Sequence, residues 1–425
     1  MLKKVVIEGL FGYLTYPIDF STKDSNVILL HGPNGSGKTT IFEMIKGISN
    51  LDFGVFFSTP FTKFTIETYK SSLCISKKDN ALIINDEFEI QMIEEIRLLE
   101  DVKTKSFMKV TEILEAFGAN RVGPREFEYE GEVYYYKELI DLLNKKVVIS
   151  NIPECVSTFS QELNILYISA ERLFDNQLRK VVKHTQILKD IIKNHENKYA
   201  ILSKDLDAKF PKKIITKSRT LIDEIDSVDI ANRLQNLSIK RNQLSSKGIL
   251  TDDDTNVIPV DEIKSDDIFG NSYLNQFLYY YILDNEEKLD VFNNLLSKID
   301  TYEKIINDYF TNKEIQINKK DGYSFKLTKG LLKEEAVPLK NLSSGEQHIL
   351  VLFFELIFNA DKKRIILIDE PELSLHVSWQ INLVDILIDI TNLSDDFLVL
   401  ATHSPSILRN HRDKVLPVGY ENETI

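Results

Sequence analysis

The sequence predicts an α/β fold whose core sheet is interrupted in sequence by a long helical insertion. Three observations predict it. Uninterrupted apolar runs at Val27–Leu30, Ile365–Ile368 and Leu398–Ala401 are each followed by polar or glycine-rich residues, the pattern of central parallel strands buried on both faces. Segments that alternate apolar and polar residues crowd the first 170 positions. From Leu178 onward the apolar residues recur at three- and four-residue intervals, the period of packed helices.

Taken in order, Lys3–Ile7 and Tyr16–Phe20 read as strands, Val27–Leu30 as a buried strand, and Lys38–Ile48 as an amphipathic helix. Phe64–Ser76 and Asn80–Ile90 alternate around Lys77-Lys78-Asp79-Asn80, as a hairpin does. Asp101–Phe117 and Tyr134–Lys145 read as helices, with Gly118–Gly131 as a loop between them. Leu163–Ser169 reads as a further core strand ending in Ala170-Glu171-Arg172.

Next comes a seam of Leu178, Val181, Thr185, Leu188, Ile192, His195, Tyr199, Leu202 and Leu206, which Pro211 is expected to end. Ile214–Leu244 follows as a second helix and Ser272–Phe310 as a third, the latter with Phe292, Leu295, Ile299, Tyr302, Ile306 and Tyr309 on one stripe. At 1.5 Å per residue such helices reach on the order of 45 to 60 Å. Both a bundle and a projecting antiparallel coiled coil satisfy the pattern. Between the second and third helices, Asp252-Asp253-Asp254 lies in an acidic loop that suits a solvated turn.

Between the strand Val27–Leu30 and the helix at Lys38 lies Gly32-Pro33-Asn34-Gly35-Ser36-Gly37-Lys38-Thr39, followed by Thr40. Strand, glycine-rich loop and helix stand in the order that a phosphate cradle requires. Glycines turn backbone N–H groups inward, and the positive end of the helix favours negative charge. Lys38 is expected to reach the β- and γ-phosphates and Thr39 to offer its hydroxyl to Mg²⁺.

The run Ile365–Ile368 ends in Asp369-Glu370-Pro371-Glu372. At the carboxyl end of a central strand, Asp369 is expected to hold Mg²⁺ and Glu370 to accept the proton of a water attacking the γ-phosphate. Leu398–Ala401 leads through Thr402 to His403, a candidate hydrogen-bond donor to the same phosphate or water.

Leu342-Ser343-Ser344-Gly345-Glu346-Gln347 precedes the apolar helix Ile349–Phe358. Ser343 with Glu346, or Ser344 with Gln347, has capping-box spacing, and a helix start with hydroxyls and free N–H groups is an anion site.

These residues resemble the ABC-type ATPases, and within them the soluble branch of SMC, RecF and related repair ATPases. The resemblance rests on GPNGSGKT as the Walker A motif, LSSGEQ as the signature and ILIDEPE as the Walker B with its following glutamate. Ser374-Leu375-His376 stands at the D-loop position and His403 at that of the switch histidine. It implies an ABC-type head, a mixed sheet with an antiparallel β layer, carrying an inserted helical or coiled-coil subdomain. The expected division is 1–172 and 313–425 for the two halves of the head and 173–312 for the insertion.

The resemblance further implies ATP and Mg²⁺ as cofactors. Nucleotide would sit between two heads, held by Gly32 to Thr40 of one copy and by Ser343, Ser344, Gly345 and Glu346 of the other, in a homodimer or higher homo-oligomer. The glutamine that helps bind Mg²⁺ in this family has candidates in Gln91 and Gln161, neither in a strand-to-loop setting, and stays unassigned.

Transporter ATPases share the motifs but place the signature much sooner after the phosphate loop, so the long insertion favours the SMC-like branch. Within it, YISAER at Tyr167, ELSLH at Glu372 and ATHSP at Ala401 resemble ATPases of bacterial anti-phage systems, namely OLD-like, Septu, PARIS and retron-associated. OLD nucleases carry a Toprim domain after the switch histidine. This chain ends at Ile425, too soon for one, so nuclease activity is expected on a separate effector protein.

Composition agrees with a soluble, cytoplasmic ATPase. The 425 residues are 43% hydrophobic, and no run approaches the roughly 18 apolar residues of a membrane span. The two cysteines, Cys74 and Cys155, lack metal-ligand spacing. A net charge of −13 opposes a globally basic nucleic-acid surface. Arg179–Lys183 and Lys212–Arg219 are local basic clusters, open to DNA contact or to solvation alone. The leading expectation is an ATP-binding and hydrolysing sensor or scaffold subunit of an anti-phage complex that controls a nuclease. The alternative is a DNA repair or recombination ATPase acting on DNA directly.

Overall fold

The computed structural model describes residues 2–22, 25–79, 81–91, 107–116, 118–129, 132–136, 139–140, 152–169, 177–217, 227–250, 272–330, 333–359, 364–373, 375–394 and 396–419. Ala170-Glu171-Arg172, Asp252–Asp254 and Ser374 lie outside them, as do parts of the helices expected at Asp101–Phe117 and Tyr134–Lys145. The chain divides into two units, 1–173 with 360–425, and 174–359.

In the first unit an antiparallel six-stranded sheet runs in the order β2 (Leu14–Asp19), β1 (Leu2–Leu10), β4 (Lys63–Thr68), β5 (Ser72–Lys78), β6 (Ala81–Ile84), β7 (Phe88–Gln91). The expected hairpin about residues 77–80 is present as β5 and β6, and further reversals at 69–71 and 85–87 extend it into a meander. β4 shows the strict burial alternation of a sheet with one face on the core.

Gly118–Gly131, expected as a loop, contains β8 (Asn120–Arg121) and β9 (Glu126–Tyr129). β10 (Glu132–Tyr135) takes Tyr134 and Tyr135 out of the expected helix. Phe127, fully buried, packs with Val110 and Leu114 of the helix Phe107–Ala116 in a small satellite core. That pull toward a strand comes from packing and is invisible in the turn residues around it.

The second sheet is parallel, in the order β11 (Ile165–Ile168), β15 (Ile365–Asp369), β16 (Phe397–Thr402), β3 (Val27–His31), β17 (Val415–Pro417). β15 and β16 are buried at every residue, as the unbroken apolar runs require. Ile41, Phe42, Met44, Ile45 and Ile48 of helix α1 (Lys38–Ser49) join the core that both sheets share. Register fixes the functional edge: Asp369 pairs with Ala401 and Thr402 with His31, so three strands end level.

In the second unit, β12 (Lys313–Asn318), β13 (Gly322–Leu327) and β14 (Ala336–Val337) form a small antiparallel sheet, and the helices are long. The helix Gln177–Lys217 does not end at Pro211. An interior proline costs roughly 3 kcal/mol, and contacts on both sides of it resist a break. Phe210 packs edge-on to Phe277, Lys213 pairs with Asp284, and Asp207 pairs with Lys288 at 2.6 Å.

The second helix is described over Ser227–Ser246. The expected third helix is two, Ser272–Asp290 and Asn293–Tyr309, broken where buried Phe292 turns toward Tyr199 and Asn293 Nδ2 bonds Asp290 Oδ1 at 2.7 Å. Its stripe from Phe292 to Tyr309 is buried as expected.

Of the two arrangements left open, packing within this unit favours a bundle. The first half of the Gln177 helix lies on β13 and on the helix Ser344–Phe358, and its second half on the Ser272 helix. Tyr323 Oη donates to Val181 O at 2.7 Å and Tyr302 Oη to Leu350 O at 3.0 Å. No described helix is long and apolar enough to cross a membrane.

Candidate functional site

At the end of β3 the chain reverses through the glycine-rich loop into α1. Gly37 has φ +83°, and a Cβ there would lie 2.6 Å from Leu10 Cδ2, so both conformation and space select glycine. A Cβ on Gly32 would meet the Val418 carbonyl oxygen at 2.0 Å, because the residue after β17 is held against the loop by Val418 N donating to His31 O at 2.8 Å. Ser36 N donates to Pro33 O at 3.2 Å, and Lys38 Nζ crosses back to Gly32 O at 2.8 Å and Pro33 O at 3.1 Å. Burial pushes the Lys38 ammonium below its usual value, opposed by Glu370, Asp369 and Glu372.

Thr39, at the second residue of α1, donates its hydroxyl to Asp369 Oδ2 at 2.6 Å, linking residues far apart in sequence across the level strand ends. Asp369 is 2% exposed, and its Oδ1 is buried without a hydrogen-bond partner. Burial raises its pKa to about 6, a shift partly offset by the Thr39 bond. A buried carboxylate oxygen left open beside a hydroxyl is the donor set a hard cation uses, so Thr39 and Asp369 fit Mg²⁺.

Glu370 follows with φ +46°, a left-handed conformation uncommon for a residue other than glycine, and its N–H still bonds Ala401 O at 2.9 Å. The backbone turns sharply at the strand end, and His403 Nδ1 stands 3.2 Å from Glu370 Oε1. A cleft of about 270 Å³ is lined by Phe11, Asn34, Gly35, Gly37, Lys38, Thr39, Thr40 and Glu370. Gly32, Pro33, Asn34, Gly35, Ser36, Gly37, Lys38, Thr39, Thr40, Asp369, Glu370 and His403 thus gather at one edge. Gln91 ends the edge strand of the antiparallel sheet, and Gln161 is exposed near the end of the helix Glu154–Glu162.

Two participants escaped the sequence reading. Phe11, at φ +55° and 39% exposed, lines the cleft, and only its place beside Gly12 hints at a turn. Glu372 is buried, with Oε1 accepting from Thr402 Oγ1 and from the N–H groups of His403 and Ser404, both at 3.2 Å. An acid after Asp-Glu-Pro reads as solvated until the partner strand is known.

In the second unit, Ser343 is the N-cap of the helix Ser344–Phe358. Of the two spacings left open, the box uses Ser343 with Glu346: Glu346 N donates to Ser343 Oγ at 3.3 Å and Ser343 N to Glu346 Oε2 at 2.8 Å. The helix therefore starts five residues before Ile349. Gln347 Nε2 instead bonds Leu342 O at 2.9 Å. Lys313 Nζ reaches both Glu346 oxygens, at 2.6 and 2.8 Å. Arg179–Lys183 and the described part of the second cluster, Lys212–Lys217, occupy opposite ends of the helix Gln177–Lys217, about 50 Å apart along its axis, and Arg219 lies outside the described residues.

A family model described as AAA ATPase domain matches residues 1–408. No curated protein matches the chain. Among solved structures, the Smc head domain with an extended coiled coil bound to the C-terminal domain of ScpA, from Pyrococcus furiosus, aligns at 13% identity. The alignment covers 96% of this chain and 91% of that one, with a TM-score of 0.40. An SmcHead bound to the C-winged helix domain of ScpA aligns at 12% identity over 98% and 97%, with a TM-score of 0.38.

Proposed function

Because the chain belongs to the AAA ATPase domain family, we propose that it binds ATP with Mg²⁺ at the ends of β3, β15 and β16 and hydrolyses it. The observation that carries this reading is the meeting of the phosphate loop, the Thr39–Asp369 bond and the Glu370–His403 pair on three level strand ends.

Loop N–H groups and Lys38 bind and orient the phosphates, and Lys38 leaves the carbonyls of Gly32 and Pro33 to do so. Phe11 offers an apolar face to the nucleotide at the mouth of the cleft. Mg²⁺, held by Thr39 and Asp369, supplies Lewis-acid neutralisation of phosphoryl charge. Glu370 takes the proton from the attacking water. His403, with Nδ1 protonated, donates to Glu370 and fixes the direction of its carboxylate.

The capped start of the Ser344 helix supports a role for Ser343, Ser344, Gly345 and Glu346 at the γ-phosphate held by a second copy. The functional assembly is then a homodimer or higher homo-oligomer, closed by ATP and opened by hydrolysis. Ser344→Arg tests this: ATP binding persists while dimerisation and turnover are lost. Normal turnover in that variant removes the shared site.

The defence-like motifs YISAER, ELSLH and ATHSP, with a charge of −13, support a sensor or scaffold subunit of an anti-phage complex that restrains a separate nuclease. The test has two arms, ATPase rate with and without duplex DNA and copurification with proteins encoded beside it. A stable nuclease partner supports the defence reading. Strong, salt-sensitive stimulation by DNA overturns it in favour of a repair ATPase.

A further inference from the structure

Glu372 stands two residues beyond the proposed general base, and among the described residues the hydrogen bonds to its carboxylate come from the strand end that carries His403. Its Oε1 accepts three hydrogen bonds: from the Thr402 hydroxyl, from His403 N at 3.2 Å and from Ser404 N at 3.2 Å. Consecutive backbone N–H groups converging on one oxygen form an anion nest, here filled by the protein's own side chain. The carboxylate is almost wholly buried, where charge-assisted bonds are strong and their loss is costly.

A second side chain ties the same two segments. Gln380, on the helix Val377–Ser394, donates Nε2 to Leu375 O at 3.1 Å and Glu372 O at 3.3 Å, while its Oε1 accepts from Ser404 Oγ at 3.0 Å. Glu372 and Gln380 therefore clamp the turn that follows Glu370 to the turn that starts at Thr402. Between the clamped segments stands the His403 ring, with Nδ1 3.2 Å from Glu370 Oε1 and 3.7 Å from Glu372 Oε1. Glu370 sits in a left-handed conformation that needs support from its surroundings.

We propose that Glu372, seconded by Gln380, is a positioning residue for ATP hydrolysis: it folds residues 402–404 around its carboxylate and so sets the His403 ring against Glu370. The proposal rests on the ATPase reading above. It assigns Glu372 no contact with nucleotide and separates it in role from Asp369, its neighbour in the same acidic run.

Glu372→Ala, Glu372→Gln and Thr402→Val test it, with ATPase kinetics, binding of a fluorescent ATP analogue and amide hydrogen exchange over residues 397–408. Glu372→Ala is expected to lose protection of the His403 amide, while Ser404 N keeps Thr402 Oγ1 at 3.0 Å, and to lower kcat roughly ten- to a hundredfold. KM and analogue affinity stay within about twofold, because the phosphate loop is untouched. Glu372→Gln keeps one carbonyl oxygen for the amides and falls between Glu372→Ala and wild type. Thr402→Val, which removes the donor to Glu372 and one of the two acceptors of Ser404 N and keeps the side-chain volume, gives the smallest fall and covers the case in which Glu372→Ala does not fold.

Unchanged kcat in Glu372→Ala and Thr402→Val, with wild type hydrolysing ATP, overturns the positioning role and leaves the ATPase reading intact. A fall in kcat matched by weakened analogue binding also overturns it, assigning Glu372 to the nucleotide cradle. A wild-type protein that does not hydrolyse ATP removes both.

Discussion

Charge is used in opposite ways in the two units. In the first, Lys38, Asp369, Glu370 and Glu372 converge on one sheet edge, and two buried carboxylate oxygens, Asp369 Oδ1 and Glu372 Oε2, have no hydrogen-bond partner. In the second, charges pair from helix to helix, Arg233 with Glu286, Lys247 with Glu303, Lys288 with Asp207 and Lys213 with Asp284, and one open oxygen, Asp284 Oδ2, belongs to such a pair. A buried acid left open costs stability, and Asp369 offers its open oxygen to a cation, whereas the helix-to-helix pairs align long helices. Substitutions at the strand ends should therefore alter chemistry, and those between helices should alter stability by small amounts.

The largest effect expected is on turnover. Glu370→Gln removes the proton acceptor while keeping the shape of the side chain and should slow hydrolysis about 10²- to 10⁴-fold. ATP binding persists and the dimer accumulates, as size-exclusion chromatography with ATP and Mg²⁺ would show. Turnover at the wild-type rate would contradict the base assignment.

Next is a pH effect that separates strain from function. The Asp369 carboxyl titrates at about 6 in the folded chain and near 3.9 when unfolded. A raised carboxylate pKa means the folded state holds its proton more tightly, so the penalty is absent below about pH 4 and complete above 6. Asp369→Asn should then stabilise the nucleotide-free protein at pH 7 by on the order of 2 to 3 kcal/mol, with no difference at pH 4. Excess ATP with Mg²⁺ should reverse the ranking, because only wild type binds the cation. Denaturation curves differing by the same amount from pH 4 to 7 would break the comparison.

Smaller effects belong to the helical unit. Tyr302→Phe deletes the buried bond to Leu350 O and should cost about 1 kcal/mol without changing turnover per folded molecule. Arg233→Gln, which breaks the pair with Glu286 at a partly exposed site, should cost below about 1 kcal/mol, less at high salt. A large loss of ATPase activity in either would show that the second unit does more than hold its shape.

Legibility in the sequence followed the range of the interactions. The phosphate loop, the strands ending in Asp369 and Thr402 and the Ser343 cap depend on neighbours within a few residues, and each was readable. Strand β9, the helix through Pro211 and the break at Phe292 depend on distant partners: Phe127 in a satellite core, Phe210 on Phe277, and Phe292 against Tyr199. Glu372 is the clearest case. Nothing local marks it, since its three donors lie about thirty residues on, in a strand whose neighbour only the fold reveals. Phe11 and the chain around Val418, which hem in the loop from opposite ends of the sequence, were hidden for the same reason.

The order of strands in the parallel sheet has a consequence for synthesis. β3 is made long before both of its sheet neighbours, β16 and β17, which lie several hundred residues further along the chain. Until those neighbours are made, the glycine-rich loop hangs on a strand with both edges bare, while residues 174–359 cluster as a compact unit of their own. The guest unit can thus finish before its host begins to close, and the glycine-rich loop cannot meet Asp369 until β15 and β16 have been made. Chains that stop before β16 and β17 would leave the apolar strand β3 exposed at both edges, a hazard for aggregation. Truncated products would fail as folded proteins before they failed as enzymes.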